Sequence, residues 1–124
     1  MSSTGLKQQA ILIKALGHPV RLHILDVLSR GEACVCHLTT LLRQRQPYIS
    51  QQLMVLRQAG LVRDRRDGSV IYYHLADARI SAVIALAREI LRDRDASLEW
   101  PQIPSGPVAG CPCPHCAQQS EMRS

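Results

Sequence analysis

At 124 residues the chain has room for one small hydrophobic core, which argues against a multidomain enzyme. No apolar run approaches the roughly 20 residues a membrane span requires, and the start "MSSTGLKQQAILIKALGHP" lacks the basic, apolar and cleavable order of a signal peptide; a cytoplasmic protein with no membrane partner is expected. The net charge of +5 is concentrated in residues 41–66, where six arginines face Asp64 alone, and such a patch favours a polyanion as partner.

The chain opens with an amphipathic pattern, Leu6 to Leu16, closed by Gly17. In "HPVRLHILDVLSRG", Pro19 suits a first helical position, Val20, Ile24, Leu25 and Leu28 share a face, and Gly31 is the stop. A third helix is expected from about Glu32 to Arg43. A fourth begins near Pro47 and runs to Gly60, with Ile49, Leu53 and Leu56 buried. The period then changes: "LVRDRRDGSVIYYHL" reads as two strands around Asp67-Gly68. A last helix, Arg79 to about Arg94, puts Ile80, Val83, Ile84, Ala87, Ile90 and Leu91 on a stripe too apolar for a monomer's surface, which points to a dimer interface.

From Ser97 the character changes again. Five of the seven prolines lie in residues 101–116, so "PQIPSGPVAGCPCPHC" is expected to be an extended tail without helix or central strand. The expected division is residues 1–96 as a DNA-binding and dimerisation domain and 97–124 as a Pro-rich flexible tail with a cysteine cluster.

Three helices, a recognition-type helix and a hairpin make a mainly α fold with a small β-hairpin, the order of a winged helix-turn-helix. Gln46, Tyr48, Ser50, Gln51 and Gln52 fall at the start of the reading helix, where major-groove contacts are made. Arg57 and the wing residues Arg63, Arg65 and Arg66 are candidates for phosphate contacts.

"ALGHPVRLHILDVL", "CVCHLTTLL" and "ISQQLMVLRQAGLVRDRRDGSVIYYHL", in this order and spacing, resemble the ArsR/SmtB family of metal- and metalloid-responsive repressors over roughly residues 6–95. The resemblance implies a homodimer joined through its first and last helices, a palindromic double-stranded operator, and release of DNA when an inducer binds. In that family "CVC" at the head of the third helix resembles the arsenic- and antimony-binding box. Here the usual acid is His37 and the third-cysteine position is Thr39, which leaves two thiols where three would make the trigonal site.

On a regular helix, Cys34 and Cys36 would point about 200° apart, so one ion could hold both only by disturbing that turn. The remaining ligand is expected from Cys111, Cys113 or Cys116, with His115 as a nitrogen alternative. Sixteen residues separate Asp95 from Cys111 and could span roughly 50 Å if extended, enough to reach the third helix of either subunit. In a reducing compartment the five cysteines read as free thiols or ligands.

The inducer expected first is As(III) or Sb(III), then Cd(II), Pb(II) or Zn(II). A thiol-redox regulator answering oxidants or persulfides on the same scaffold is the alternative. Zinc-responsive relatives pair acids and histidines across the last helix. The matching positions here are Asp77, Arg79, Ile90 and Asp93, and an arginine and an isoleucine cannot ligate a cation.

Overall fold

Proline placement and local capping set the helices. In the computed structural model, which describes residues 4–104 and Cys111, α1 spans Thr4–Leu16 and α2 spans Pro19–Leu28. Proline starts α2, where its missing N–H costs nothing, and the Nδ1 of His18 accepts the N–H of Val20 at 3.1 Å. After α2 the chain forms a two-residue strand, β1, Ala33–Cys34, before α3, Val35–Leu42. The helix expected from Glu32 to Arg43 is therefore shorter at both ends. Its N-cap is Cys34, with extended backbone and a sulfur that accepts the N–H of His37 at 3.4 Å.

Arg43 stops α3 in the left-handed region, φ 54° and ψ 43°, and α4 follows at Gln46–Gln58. The hairpin pairs β2, Val62–Asp67, with β3, Val70–Leu75. Its two-residue turn is Gly68–Ser69, one residue later than expected, because Asp67 still pairs with Val70. Positive φ occurs at the first turn position, Gly68 at 63°, as in a type II′ turn. The strand order is β1-β3-β2, antiparallel throughout, with Cys34 opposite Tyr72. The last helix, α5, spans Arg79–Arg94 as expected.

Ile24 and Leu25 of α2, Leu38 of α3, Ile49, Leu53 and Leu56 of α4, and Leu61 and Val62 at the wing base form the fully buried centre. This is a winged helix-turn-helix: α3 and α4 pack together over α2, and the β2–β3 hairpin is the wing. Leu6, Ile11 and Ile13 of α1 and Val83, Leu86, Ile90 and Leu91 of α5 stay exposed. Among the described residues no helix is long and apolar enough to cross a membrane. The tail, 97–104, forms neither helix nor strand, yet Ile103 packs against the main core.

Candidate nucleic-acid interface and thiol site

The apolar face of α4 faces the core, and the spacing of Ile49, Leu53 and Leu56 decides which side chains are left outside. Gln46, Ser50 and Gln51 are exposed. Tyr48 is half-buried, its hydroxyl 3.4 Å from the Nε2 of His18. Gln52 does not join this set. It is 8% exposed, and its Oε1 accepts from the Nη1 of Arg21 at 3.0 Å. The expectation that it reads a base is corrected by packing: Gln52 lies three residues from Ile49 and four from Leu56, on the buried side of the helix.

The arginines also differ among themselves. Arg57 is exposed and sits 3.6 Å from the carboxylate of Asp64, a surface pair of small energetic weight. Arg66 is exposed and makes no ion pair among the described residues. Arg65 is committed inward: it grips the carboxylate of Glu32 in a two-pronged pair, with Nε donating to Oε2 at 2.8 Å. Its guanidinium also lies 4.7 Å from the ring centroid of Tyr72. The hydrogen bond that Arg65 donates to Glu32 raises the Arg65 pKa further. Glu32 precedes β1 and Tyr72 lies on β3, so these contacts join the segment leading to α3 to the wing. Nothing in the local sequence announces this pairing across 33 positions.

The thiols lie on the other side of that junction. Cys34 is 3% exposed and Cys111 8% exposed, and their sulfurs are 3.6 Å apart. With Tyr72 they form a small cluster separate from the main core, against which Cys36, Leu41 and Val70 pack. The divergence of Cys34 and Cys36 on one helix does not arise, because Cys34 is the strand residue before α3. Cys36 lies in the first turn, half-buried, and its carbonyl accepts the hydroxyls of Thr39 at 2.8 Å and Thr40 at 2.9 Å. A cavity of about 400 Å³ opens beside it, lined by Cys34, Val35, Cys36, Gln46, Ser69, Val70 and Ile71. Thus Cys34 and Cys36 share a cavity wall with the first residue of the reading helix and the tip of the wing.

Cys113, Cys116 and His115 lie outside the described residues. Among the described residues no group of three or more Cys, His, Asp or Glu side chains is arranged to hold a metal. Asp77 is engaged by Arg79, whose side chain and backbone N–H hold its carboxyl well down, to about 2.

A third assembly lies between α2, α5 and the tail. Asp26 is buried and ion-paired with Arg88, and the guanidinium of Arg88 stacks 4.8 Å from the ring centroid of Trp100. Arg92 approaches the same ring at 5.8 Å. Asp26 on an otherwise apolar helix face is the one sequence signal for this assembly, since a buried carboxylate requires a partner.

The family model for bacterial regulatory proteins of the arsR family matches residues 18–64. The chain is similar to the biofilm growth-associated repressor of Agrobacterium fabrum, at 47% identity over 60% of this chain and 64% of that protein. It is also similar to the arsenic resistance transcriptional regulator ArsR1 of Pseudomonas putida, at 38% identity over 73% of this chain and 69% of that one. Among solved structures it resembles the homodimeric winged helix-turn-helix DNA-binding domain Mb0332 of Mycobacterium bovis, with a TM-score of 0.70 and 30% identity over 81% of this chain and 96% of that one. A matching fold, sequence identity above 30% across most of the chain, and the family model laid over α2 to the wing lead to one conclusion: the chain belongs to the ArsR family of bacterial transcriptional regulators.

Proposed function

We propose that this regulator is a cytoplasmic homodimeric repressor that leaves a palindromic operator when a thiophilic ion is captured at Cys34 and Cys111. As(III) or Sb(III) is the preferred inducer, with Cd(II), Pb(II) or Zn(II) second. The observation that carries the reading is the buried pair of sulfurs at 3.6 Å. Two thiolates held by one tetrahedral Zn(II) through bonds of about 2.3 Å stand about 3.75 Å apart, and the narrower angles of a pyramidal trivalent metalloid bring them somewhat closer. The pair fits a shared ion almost without movement, whereas a disulfide at about 2.05 Å requires an approach of roughly 1.5 Å. Cys36, packed against the same cluster, is the proposed third sulfur, and Cys113, Cys116 or His115 could serve in its place. The arsenic resistance regulator among the relatives supports the metalloid.

A bound ion supplies sulfur bonds stronger than the contacts they replace. The chain's own residues convert this into a change of shape. Cys34 caps α3 through the His37 N–H and pairs with Tyr72 of the wing. Engaging its sulfur elsewhere weakens that cap, and recruiting Cys36 re-aims the first turn of α3, which packs directly on α4. The population leaves the DNA-binding form by no more than the ion's differential affinity for the two forms.

On the DNA side, Tyr48, Ser50 and Gln51, with Gln46 at the rim, are the side chains proposed for the major groove, and Arg66 and Arg57 for phosphates. The exposed apolar faces of α1 and α5 are the proposed dimer contact, in keeping with the homodimeric neighbour. Residues 1–96 would form the DNA-binding and dimerisation unit, with 97–124 as the ligand-bearing extension.

The experiment is titration of the DNA complex with arsenite under excess thiol reductant, followed by fluorescence anisotropy of a labelled operator. Release supports the ion reading. Release only by peroxide or persulfide replaces it with thiol-redox sensing. X-ray absorption on the arsenic-loaded protein should find sulfur neighbours only.

A further inference from the structure

We infer that Trp100 and Ile103 dock the tail onto their own subunit, so that each dithiol site is completed in cis and Trp100 is a positioning residue for Cys111. The inference rests on the proposed ion site and concerns how that site is assembled.

The tail leaves α5 at Arg94, and nine positions later Ile103 is already packed against the main core. Between them Trp100 is half-buried and forms one wall of a groove also lined by Pro19, Leu22 and Leu42 from α2 and α3 and Ala87 and Leu91 from α5. Two cations close on the ring, Arg88 at 4.8 Å and Arg92 at 5.8 Å. Asp26 fixes Arg88 from beneath through a largely buried ion pair, so the platform under the indole is held by α2 as well as α5. Stacking of this kind is worth more when it is desolvated.

The Nε1 of Trp100 is buried with no hydrogen-bond partner among the described residues. The ring is therefore held by its faces and not by its N–H.

Docking changes the closure problem for the thiols. Measured from the end of α5, the loop to Cys111 is 17 residues; measured from Ile103 it is eight, with a reach of roughly 26 to 29 Å. A shorter tether anchored on the same body raises the effective concentration of Cys111 at Cys34. It also favours the subunit's own Cys34 over its partner's. Cys111 is found at that place, 3.6 Å from Cys34 and 8% exposed.

The test uses full-length protein and arsenite under reduction. Differently tagged protomers are co-purified as two heterodimers, and bound arsenic is counted after desalting. Cys34→Ser paired with Cys111→Ser should bind no arsenic, while wild type paired with the double variant should bind one per dimer. The reverse result, one and none, overturns assembly in cis.

Trp100→Ala should raise the arsenite concentration for half-release of DNA roughly 10-fold at unchanged stoichiometry. Trp100→Phe, which keeps a smaller aromatic face and has no N–H, should fall between wild type and Trp100→Ala. Iodoacetamide labelling without arsenite gives an ion-independent reading: Trp100→Ala should speed alkylation of Cys111 several-fold. Unchanged labelling and unchanged release in Trp100→Ala overturn the positioning role. A wild-type dimer that binds no arsenic while Trp100→Ala still exposes Cys111 overturns the ion reading and leaves the docking standing.

Discussion

Arg21 on α2 donates 3.0 Å to the Oε1 of Gln52 on α4, and its Nε donates 2.6 Å to the carbonyl of Ala15 at the end of α1. One guanidinium thus joins three helices. It satisfies an orphan carbonyl at the C-terminus of α1 and holds the angle at which α4 is presented. Gln52→Ala should lower stability by about 1 kcal/mol and weaken binding to every DNA sequence alike. Anisotropy titrations on operators varied one base pair at a time provide the check. A loss confined to one position, at unchanged melting temperature, would mean that Gln52 reads that base.

The thiol cap gives a second prediction. Cys34 is both the N-cap of α3 and a proposed ligand, and serine is a strong N-cap. Cys34→Ser should therefore retain or slightly raise melting temperature and operator affinity, while arsenite no longer releases DNA. Cys34→Ala removes both roles and should cost about 1 kcal/mol of stability as well. If Cys34→Ser unfolds or loses DNA, the thiol is structural and the ion reading falls with it.

The wing separates a tied arginine from an unpaired one. Each phosphate contact contributes close to one unit to the slope of log affinity against log salt. Arg66→Ala should reduce that slope by about one at every sequence tested. Arg65→Ala should reduce it less, because Arg65 spends its charge on Glu32 and its face on Tyr72. Its main effect should be a looser junction between wing and β1. Equal slopes for the two variants would refute the distinction.

Most of the scaffold was legible because the apolar spacing follows the helical period. Ile49, Leu53 and Leu56 identify the buried face of α4, and α5 begins and ends where the pattern says. The thiol site was legible in composition but not in shape. "GEACVCHL" has no feature that separates a helix starting at Glu32 from a strand ending at Cys34. What decides it is the non-local pairing of Ala33 and Cys34 with Tyr73 and Tyr72, and single-segment patterns carry no such information. The contacts that hold Gln52 and Arg65 escape local patterns for the same reason, since their partners Arg21 and Glu32 lie 31 and 33 positions away.

The turn between α3 and α4 carries a small strain. Arg43 holds φ 54° without being glycine, a conformation that costs an L-residue about 1 kcal/mol. Arg43→Gly should recover much of this and raise the melting temperature. A lower melting temperature would show that the arginine side chain contributes more than its backbone costs.

The last prediction concerns pH. Burial lowers the pKa of His23, an effect opposed by the nearby Asp26 carboxylate and reinforced by the Arg88 guanidinium. The native state therefore favours neutral imidazole, whereas the unfolded chain protonates near the ordinary value of about 6.5. Above that value His23 is neutral in both states and stability is unaffected. As pH falls below it the unfolded chain takes up the proton first, so stability declines until the native pKa is reached and then levels off. His23→Gln, which cannot titrate, should flatten this part of the curve. Urea denaturation of both proteins from pH 7.5 to 5 provides the measurement. Parallel curves for wild type and variant would place the acid sensitivity elsewhere.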